Sequence, residues 1–488
     1  MTQQQLEKYL WGAATYLRGH IDAGDYKQYI FPLLFFKRIC DVYDEEFELA
    51  MKESGGDLEY AAFEENHRFQ IPKGAHWENV REVTVNVGMA IQSAMRTIEK
   101  ANPETLFGIF GDASWTNKDR LSDATLINLM EHFSQHKLNI NNVPDDQLGN
   151  GYEYLIKQFA DDSGHTAAEF YTNRTVVKLM TLIMDPQPGE TVYDPTCGSG
   201  GLLLNCALHL KEQGKEYRTL KLYGQEINLI TSAIARMNMF LHGIEEFQIV
   251  RGNTLSEPAF LENDELKTFH VILANPPYSI KSWDRKMFED DPWGRNIWGT
   301  PPEGRADYAF QQHIQKSLDP ENGRSITLWP HGVLFRDAEA AMRRKMVESD
   351  VVECVIGLGP NLFYNSPMEA CLLITNNAKS ANRKGQILII NALKEVRQDK
   401  SIAFLEEEHI RKIHKAFRDY EDIEGFCRVV STQEVLDQGG NLNIPMYVSN
   451  VENHQDSKTF DQTLDEWHKS SEKLKESMNN LFEILEDK

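Results

Sequence analysis

Between about residues 165 and 395, short apolar runs of β-forming residues alternate with stretches of helical periodicity: TVYDP, LKLYGQEI, FQIVRGN, HVILANP, SITLWP, VVECVIGL and ACLLITN. That alternation restricts the fold more than any other feature of the chain. Strands separated by helices assemble into a mostly parallel sheet, and such a sheet needs helices on both faces. The expectation is a Rossmann-like α/β sheet whose chemistry lies at the carboxyl ends of its first four strands, where open α/β sheets bind their ligands.

The flanks read differently. Through YIFPLLFFKRICDVYDEEFELAM and VTVNVGMAIQSAMRTIEK the apolar residues recur at helical spacing, so residues 1–155 are expected to form an all-α domain. The Asn-, Asp-, Gly- and Pro-rich segment NNVPDDQLGNGY is read as the joint to a catalytic domain over 156–450. Residues 451–488 are expected to form a helical tail, since Phe460, Leu464, Trp467, Leu474, Met478, Leu481 and Leu485 follow a heptad-like stripe. Such a helix either docks on its own domain or pairs with another protein.

Several function classes are excluded. No apolar run approaches the roughly 20 residues of a membrane helix, and the N-terminus lacks a basic region followed by an apolar one, which points to the cytoplasm. The six cysteines (40, 197, 206, 354, 371 and 427) form no CxxC pair and no zinc spacing, so reduced, mostly buried thiols and no metal are expected. HExxH and GxxxxGK[ST] are both missing. A net charge of −23 argues against a free-standing nucleic-acid binder, because phosphate contacts need concentrated Lys and Arg. Nucleic acid would have to be met locally, or with a partner's help.

Four strand ends carry candidate chemistry. In YDPTCGSGGLLL a strand ends at Asp194, a Gly-rich turn follows, and a helix begins near Leu202. Glycines let a backbone approach a ligand closely and the helix start offers free N–H groups, although a purely structural tight turn has the same composition. Glu226, ending LYGQE, can take both hydroxyls of a ribose or act as a cap. Asn253 in RGNTL can meet a purine edge or close its own turn.

The fourth end is Asn275-Pro276-Pro277-Tyr278, which arises by chance in roughly one chain in a thousand of this length and so stands apart from an ordinary stiffened loop. Proline cannot donate to a ladder, so the strand stops there in a rigid lip. Its chemistry follows from the residue types. An exocyclic adenine amine is a poor nucleophile because its lone pair is delocalised into the ring. Two acceptors, one on each N–H, favour tetrahedral nitrogen and turn the lone pair toward an electrophile; the Asn275 side-chain oxygen and the Pro276 carbonyl suit that task. Tyr278 offers a face on which a flat base can stack, typically worth ~1 to 3 kcal/mol.

These motifs resemble the S-adenosylmethionine-dependent amino methyltransferases of DNA. More narrowly, the chain is similar to the modification subunits of Type I restriction-modification systems, from DYKQYIFPLLFFKRI through EFYTNRTVVKLM, DPTCGSGG and NPPY to NLNIPMYV. The resemblance implies that Glu169, Phe170, Tyr171, Thr172, Asn173 and Arg174 close over the methionine part of the cofactor. Thr196, Gly198, Ser199, Gly200 and Gly201 would line its backbone loop, Asp194 its amino end, Glu226 its ribose and Asn253 its base. Relatives commonly carry Pro at the position of Asn173 and often Asp at that of Asn253. Asp307, Tyr308 and Phe310 fall either in the cofactor or target pocket or in a helix core.

The resemblance also implies adenine N6 methylation within a complex. The partners it implies are DNA, a specificity subunit, a second copy of the chain and, for cleavage, a restriction subunit; a separate specificity subunit accords with the roughly 90 residues after the catalytic sheet, which leave no room for a sequence-reading domain. A flipped base is required, since an amine inside a duplex is out of reach. The segment KSWDRKMFEDDPWGRNIWGTPPEGR interleaves Trp283, Trp293 and Trp298 with Arg285, Arg295 and Arg305, and is expected either to order on DNA or to be a surface excursion with tucked-in tryptophans. On the first reading, removing Arg295 and Arg305 weakens DNA binding. The alternatives are methylation of a protein glutamine amide, which needs the same two acceptors, and a non-catalytic assembly subunit.

Overall fold

The computed structural model describes residues 1–162, 172–362, 368–399, 402–448, 464, 467–475 and 477–478. Among them nine strands form one sheet: β1 (Thr191–Asp194), β2 (Lys221–Glu226), β3 (Phe247–Arg251), β4 (Val271–Ala274), β5 (Arg324–Pro330), β6 (Val352–Leu358), β7 (Ala370–Asn376), β8 (Gln386–Ala392) and β9 (Cys427–Ser431). The order is β9-β8-β6-β7-β5-β4-β1-β2-β3. The run β5-β4-β1-β2-β3 is parallel throughout, as is the pair β6–β8. Strand β7 lies antiparallel between β5 and β6, and β9 antiparallel at the edge.

Each of the seven runs marked in the sequence becomes a strand. They read as unbroken apolar segments because central strands are covered on both faces: all of Val271–Ala274 and all of Val352–Leu358 are buried. Two strands were not foreseen. For β8, QILIINA, a short continuous apolar run does not distinguish strand from buried helix. For β9, only two of five residues are buried, as befits a short edge strand.

Before β1 the described residues contain helices and no strand, as expected. The principal ones are α1 (Gln3–Gly12), α2 (Lys27–Glu53), α3 (Val87–Ala101), α4 (Asp123–Ser134) and α5 (Asp145–Asp162). After them come α6 (Arg174–Met184), α7 (Gly201–Glu212), α8 (Leu229–Leu241) and α9 (Asp307–Lys316). Helix α8 joins the two regions. Its Ala233, Ile234, Met237 and Leu241 belong to the core of the helical region, while Ala235 and Met239 belong to the core of the sheet. A helix apolar on opposite sides is what burial between two layers requires.

The segment read as a joint is largely helical. Helix α5 starts within NNVPDDQLGNGY and runs on to Asp162. Its glycines serve close packing rather than a turn: a Cβ on Gly149 would lie 2.4 Å from the His242 ring, and one on Gly151 would lie 2.7 Å from Leu10 Cδ1. The six cysteines are free and buried, as anticipated. In the tail, residues 467–475 are helical, and Leu464, Trp467, Leu474 and Met478 are exposed. Phe460, Leu481 and Leu485 lie outside the described residues.

Candidate active site

Strands β4, β1, β2 and β3 are adjacent and parallel, so Asn275, Asp194, Glu226 and Asn253 follow strand ends on one rim of the sheet. The chain leaves β1 toward β2 on one side and returns at β4 on the other. This reversal opens a crevice between β1 and β4, the usual ligand position in such sheets.

The turn after β1 is built from backbone demands. Thr196 N–H donates to Asp194 Oδ1 at 3.0 Å, Cys197 N–H donates to the Gln225 carbonyl at 2.9 Å, and Gly200 N–H donates to the Cys197 carbonyl at 2.8 Å. Gly198 and Gly200 have φ of +55° and +79°, a region costly for any residue with a Cβ. A Cβ on Gly200 would also come within 2.9 Å of Met239 Cε. Glu226 secures the turn from β2: its carboxylate accepts Gly198 N–H at 3.1 Å and Asn228 N–H at 2.8 Å. It therefore acts as a cap, and with about four acceptor sites its carboxylate retains capacity for a further donor. Burial raises the Asp194 carboxyl to a pKa of about 8, with the charge of Glu226 adding to the shift, and burial raises Glu226 as well. Two desolvated carboxyls on one rim favour a cationic ligand group.

Asn253 closes its own turn, its Oδ1 accepting Leu255 N–H at 3.0 Å. Asn173 is buried and caps α6: its Oδ1 accepts Thr175 N–H at 3.0 Å while its Nδ2 donates to the Ala403 carbonyl at 2.9 Å. Arg174 pairs with Glu153 of α5, and Gly201 lies beside its guanidinium. Glu169, Phe170 and Tyr171 lie outside the described residues.

Two contributors to this turn escaped the sequence reading. Asn238 of α8 donates to Glu153 Oε1 at 2.7 Å and to the Ser199 carbonyl at 3.1 Å, tying the helical region to the glycine turn. Its only signal is a polar residue in the apolar run ARMNMFL. Gly224 sits under the turn, where a Cβ would meet Cys197 Sγ and Leu203 Cδ1 at 3.0 Å.

The lip follows β4. Asn275 Nδ2 donates to Thr172 Oγ1 at 3.0 Å, and Tyr278 OH donates to Asn275 Oδ1 at 2.5 Å. In this orientation the amide donates to one hydroxyl and accepts from the other, which leaves a second lone pair of Oδ1 for a further donor. Pro276 is buried, Pro277 exposed, and the half-buried Tyr278 ring lies 6.3 Å from that of Trp329. Burial raises the Tyr278 hydroxyl pKa, so it stays a neutral donor. Tyr308 and Phe310 are buried in the core of α9.

The DNA-contact reading of the tryptophan-rich segment needs correction at Arg295. This side chain is fully buried: it pairs with Asp291 at 2.6 Å and donates to the carbonyls of Thr254 at 2.9 Å and Leu255 at 2.7 Å. It also lies 4.7 Å over the Trp293 ring, and Trp298 is buried. The segment's own acidic residue satisfies Arg295, which packs on the Trp293 ring inside the fold.

Residues 143–456 match the N-6 DNA Methylase family, and residues 6–133 match the HsdM N-terminal domain. The chain is 31% identical over 460 residues to the Type I restriction enzyme MjaVIII methylase subunit of Methanocaldococcus jannaschii, covering 88% of this chain and 76% of that one. It is 29% identical over 419 residues to the HindI methylase subunit of Haemophilus influenzae, covering 80% and 92%. The crystal structure of the type I restriction-modification system methyltransferase subunit from Streptococcus thermophilus superposes with a TM-score of 0.79 at 31% identity, covering 92% of this chain and 100% of that chain.

Proposed function

This chain belongs to the N-6 DNA methylase family, among the methyltransferase subunits of Type I restriction-modification systems, and we propose that Asn275 and Pro276 activate the 6-amino group of a flipped adenine at the β4 lip. It is an S-adenosylmethionine-dependent DNA adenine methyltransferase. The cofactor supplies an electrophilic methyl group on a sulfonium. The residues fit it: the buried Asp194 carboxyl suits an α-ammonium, and the turn Gly198–Gly201 presents backbone with little side chain in the way. Glu226 would take the ribose, Asn253 the base end, and Thr172 with Arg174 the methionine end.

The observation that carries the proposal is the Asn275 amide, aimed by Thr172 and Tyr278. Its Oδ1 has two lone pairs, so it can accept an adenine N–H besides the Tyr278 hydroxyl. The Pro276 carbonyl would accept the second N–H, and the Tyr278 ring would back the base. No strong general base is needed, because the methylated nitrogen is cationic and sheds its proton readily. Base extrusion costs a few kcal/mol, which stacking and these hydrogen bonds offset.

The working assembly we infer contains DNA, a specificity subunit, a second copy of this chain and a restriction subunit, in the cytoplasm. The helical N-terminal region and the C-terminal helix would serve as docking faces, which accords with a chain carrying a net charge of −23 that borrows its sequence reading. Among the described residues no helix is long and apolar enough to cross a membrane. Methylation of a glutamine amide is disfavoured by the family match across 143–456, and a decayed site by the intact motifs.

The test is Asn275→Ala, assayed with labelled cofactor and target DNA in the presence of the specificity subunit. The expected loss in rate is about 10² to 10³, the scale for one preorganised polar group, with cofactor affinity retained. Methylation at the parental rate would refute the mechanism.

A further inference from the structure

Behind the lip, one buried carboxylate is committed to holding it. Ser279, the residue after Tyr278, has φ of +52°, a left-handed backbone that a side chain makes costly and that surrounding structure must hold. Its N–H donates to Asp307 Oδ1 at 2.7 Å, and the other oxygen of Asp307 pairs with Arg336 Nη2 at 2.6 Å. The Asp307 side chain is wholly buried. Arg336 in turn pairs through Nε with the buried Glu339 at 2.9 Å, and its carbonyl accepts from Arg343 at 3.1 Å.

Asp307 opens α9, and Gln311, one turn later on the same helix face, accepts the Trp329 indole N–H at 2.9 Å. Trp329 is the ring against which Tyr278 lies. One face of α9 therefore holds the lip in two ways: Asp307 through the backbone after Tyr278, Gln311 through the ring behind it.

We propose that Asp307 is a positioning residue for methyl transfer: by accepting Ser279 N–H while anchored by Arg336, it locks the left-handed turn that keeps Asn275 and Tyr278 aimed. The inference rests on the reading of the lip given above. In this role Asp307 acts through the turn, by way of Ser279 N–H, and not as a catalytic residue. A shift of about 1 Å at such a site can cost about 10²-fold in rate.

The experiment compares Asp307→Ala and the isosteric Asp307→Asn with parent and Asn275→Ala, in complex with the specificity subunit. For Asp307→Ala the expected result is a kcat lower by about 10- to 100-fold, with KM for cofactor and DNA within about twofold. Asp307→Asn keeps an acceptor for Ser279 N–H and should recover much of the loss. Should Asp307→Ala fail to fold, Asp307→Asn decides, with a kcat about three- to tenfold down at unchanged KM supporting the role. Parental kcat in folded Asp307→Ala, parental kcat in Asp307→Asn where the alanine variant does not fold, or a loss of cofactor affinity matching the loss of kcat, would overturn it. If Asn275→Ala is inactive while the Asp307 variants keep parental kcat, this inference alone fails; if Asn275→Ala is active, the reading of the lip fails first.

Discussion

If Asp194 holds the cofactor's α-ammonium as proposed, cofactor affinity depends on pH in a direction that follows from its burial. Its carboxyl titrates at about 8 because it is buried and stands near Glu226, whereas a free aspartate titrates near 3.9. A cofactor whose α-ammonium pairs with the ionised form must first drive off the proton at neutral pH. The apparent Kd is then multiplied by 1 + 10^(8−pH), about 11 at pH 7 and about 100 at pH 6, or about 1.4 kcal/mol per unit. Affinity should rise tenfold per unit on this acid limb and peak near pH 8, where the cofactor's own amine starts to lose its proton. Calorimetric titration at pH 6, 7 and 8 reads the limb. Repeating the pH 7 titration in buffers of different ionisation heat should show nearly one proton released. Asp194→Asn keeps an oxygen for Thr196 N–H but cannot titrate, so its acid limb should vanish. A Kd flat between pH 6 and 8, or an Asn variant with the parental slope, would refute the reasoning. For folding the sign is opposite to that of an ordinary carboxylate. The folded pKa is raised, so cofactor-free protein loses stability as pH rises from the unfolded value toward about 8.

Gly200→Ala places a Cβ at φ +79° and within 2.9 Å of Met239 Cε. The methionine end can move but the backbone strain of about 1–2 kcal/mol remains, so cofactor affinity should fall about tenfold, which a thermal shift with and without cofactor detects; unchanged affinity would dissociate the turn from binding. Arg295→Ala leaves Asp291 buried without its cation, and denaturant unfolding should show a loss of about 3–5 kcal/mol with DNA affinity of the folded protein intact. Parental stability with weakened DNA binding would restore the arginine to a DNA-contacting role.

What could be read from the chain depended on whether the requirement was local. Asn275-Pro276-Pro277-Tyr278 was legible because proline ends a ladder wherever it stands, and the turn at Gly198 and Gly200 because positive φ selects glycine in any fold. The same rule misled at Gly149 and Gly151, whose φ values are unremarkable: there the missing side chains make room for His242 and Leu10, distant in sequence. Asn173 shows how a polar residue can set a helix start without proline. Its side chain caps Thr175 N–H and reaches the Ala403 carbonyl, tying the helix start to a distant segment. Arg295 and Asp291 form an i,i+4 pair that is visible in the sequence, but spacing does not reveal burial, and burial turned a suspected DNA contact into a structural ion pair. Asp307 carried the weakest signal because its partners, Ser279 and Arg336, lie 28 and 29 residues away and only the sheet brings them together. Residues that meet a ligand answer to chemistry the alphabet displays; residues that aim them answer to the fold.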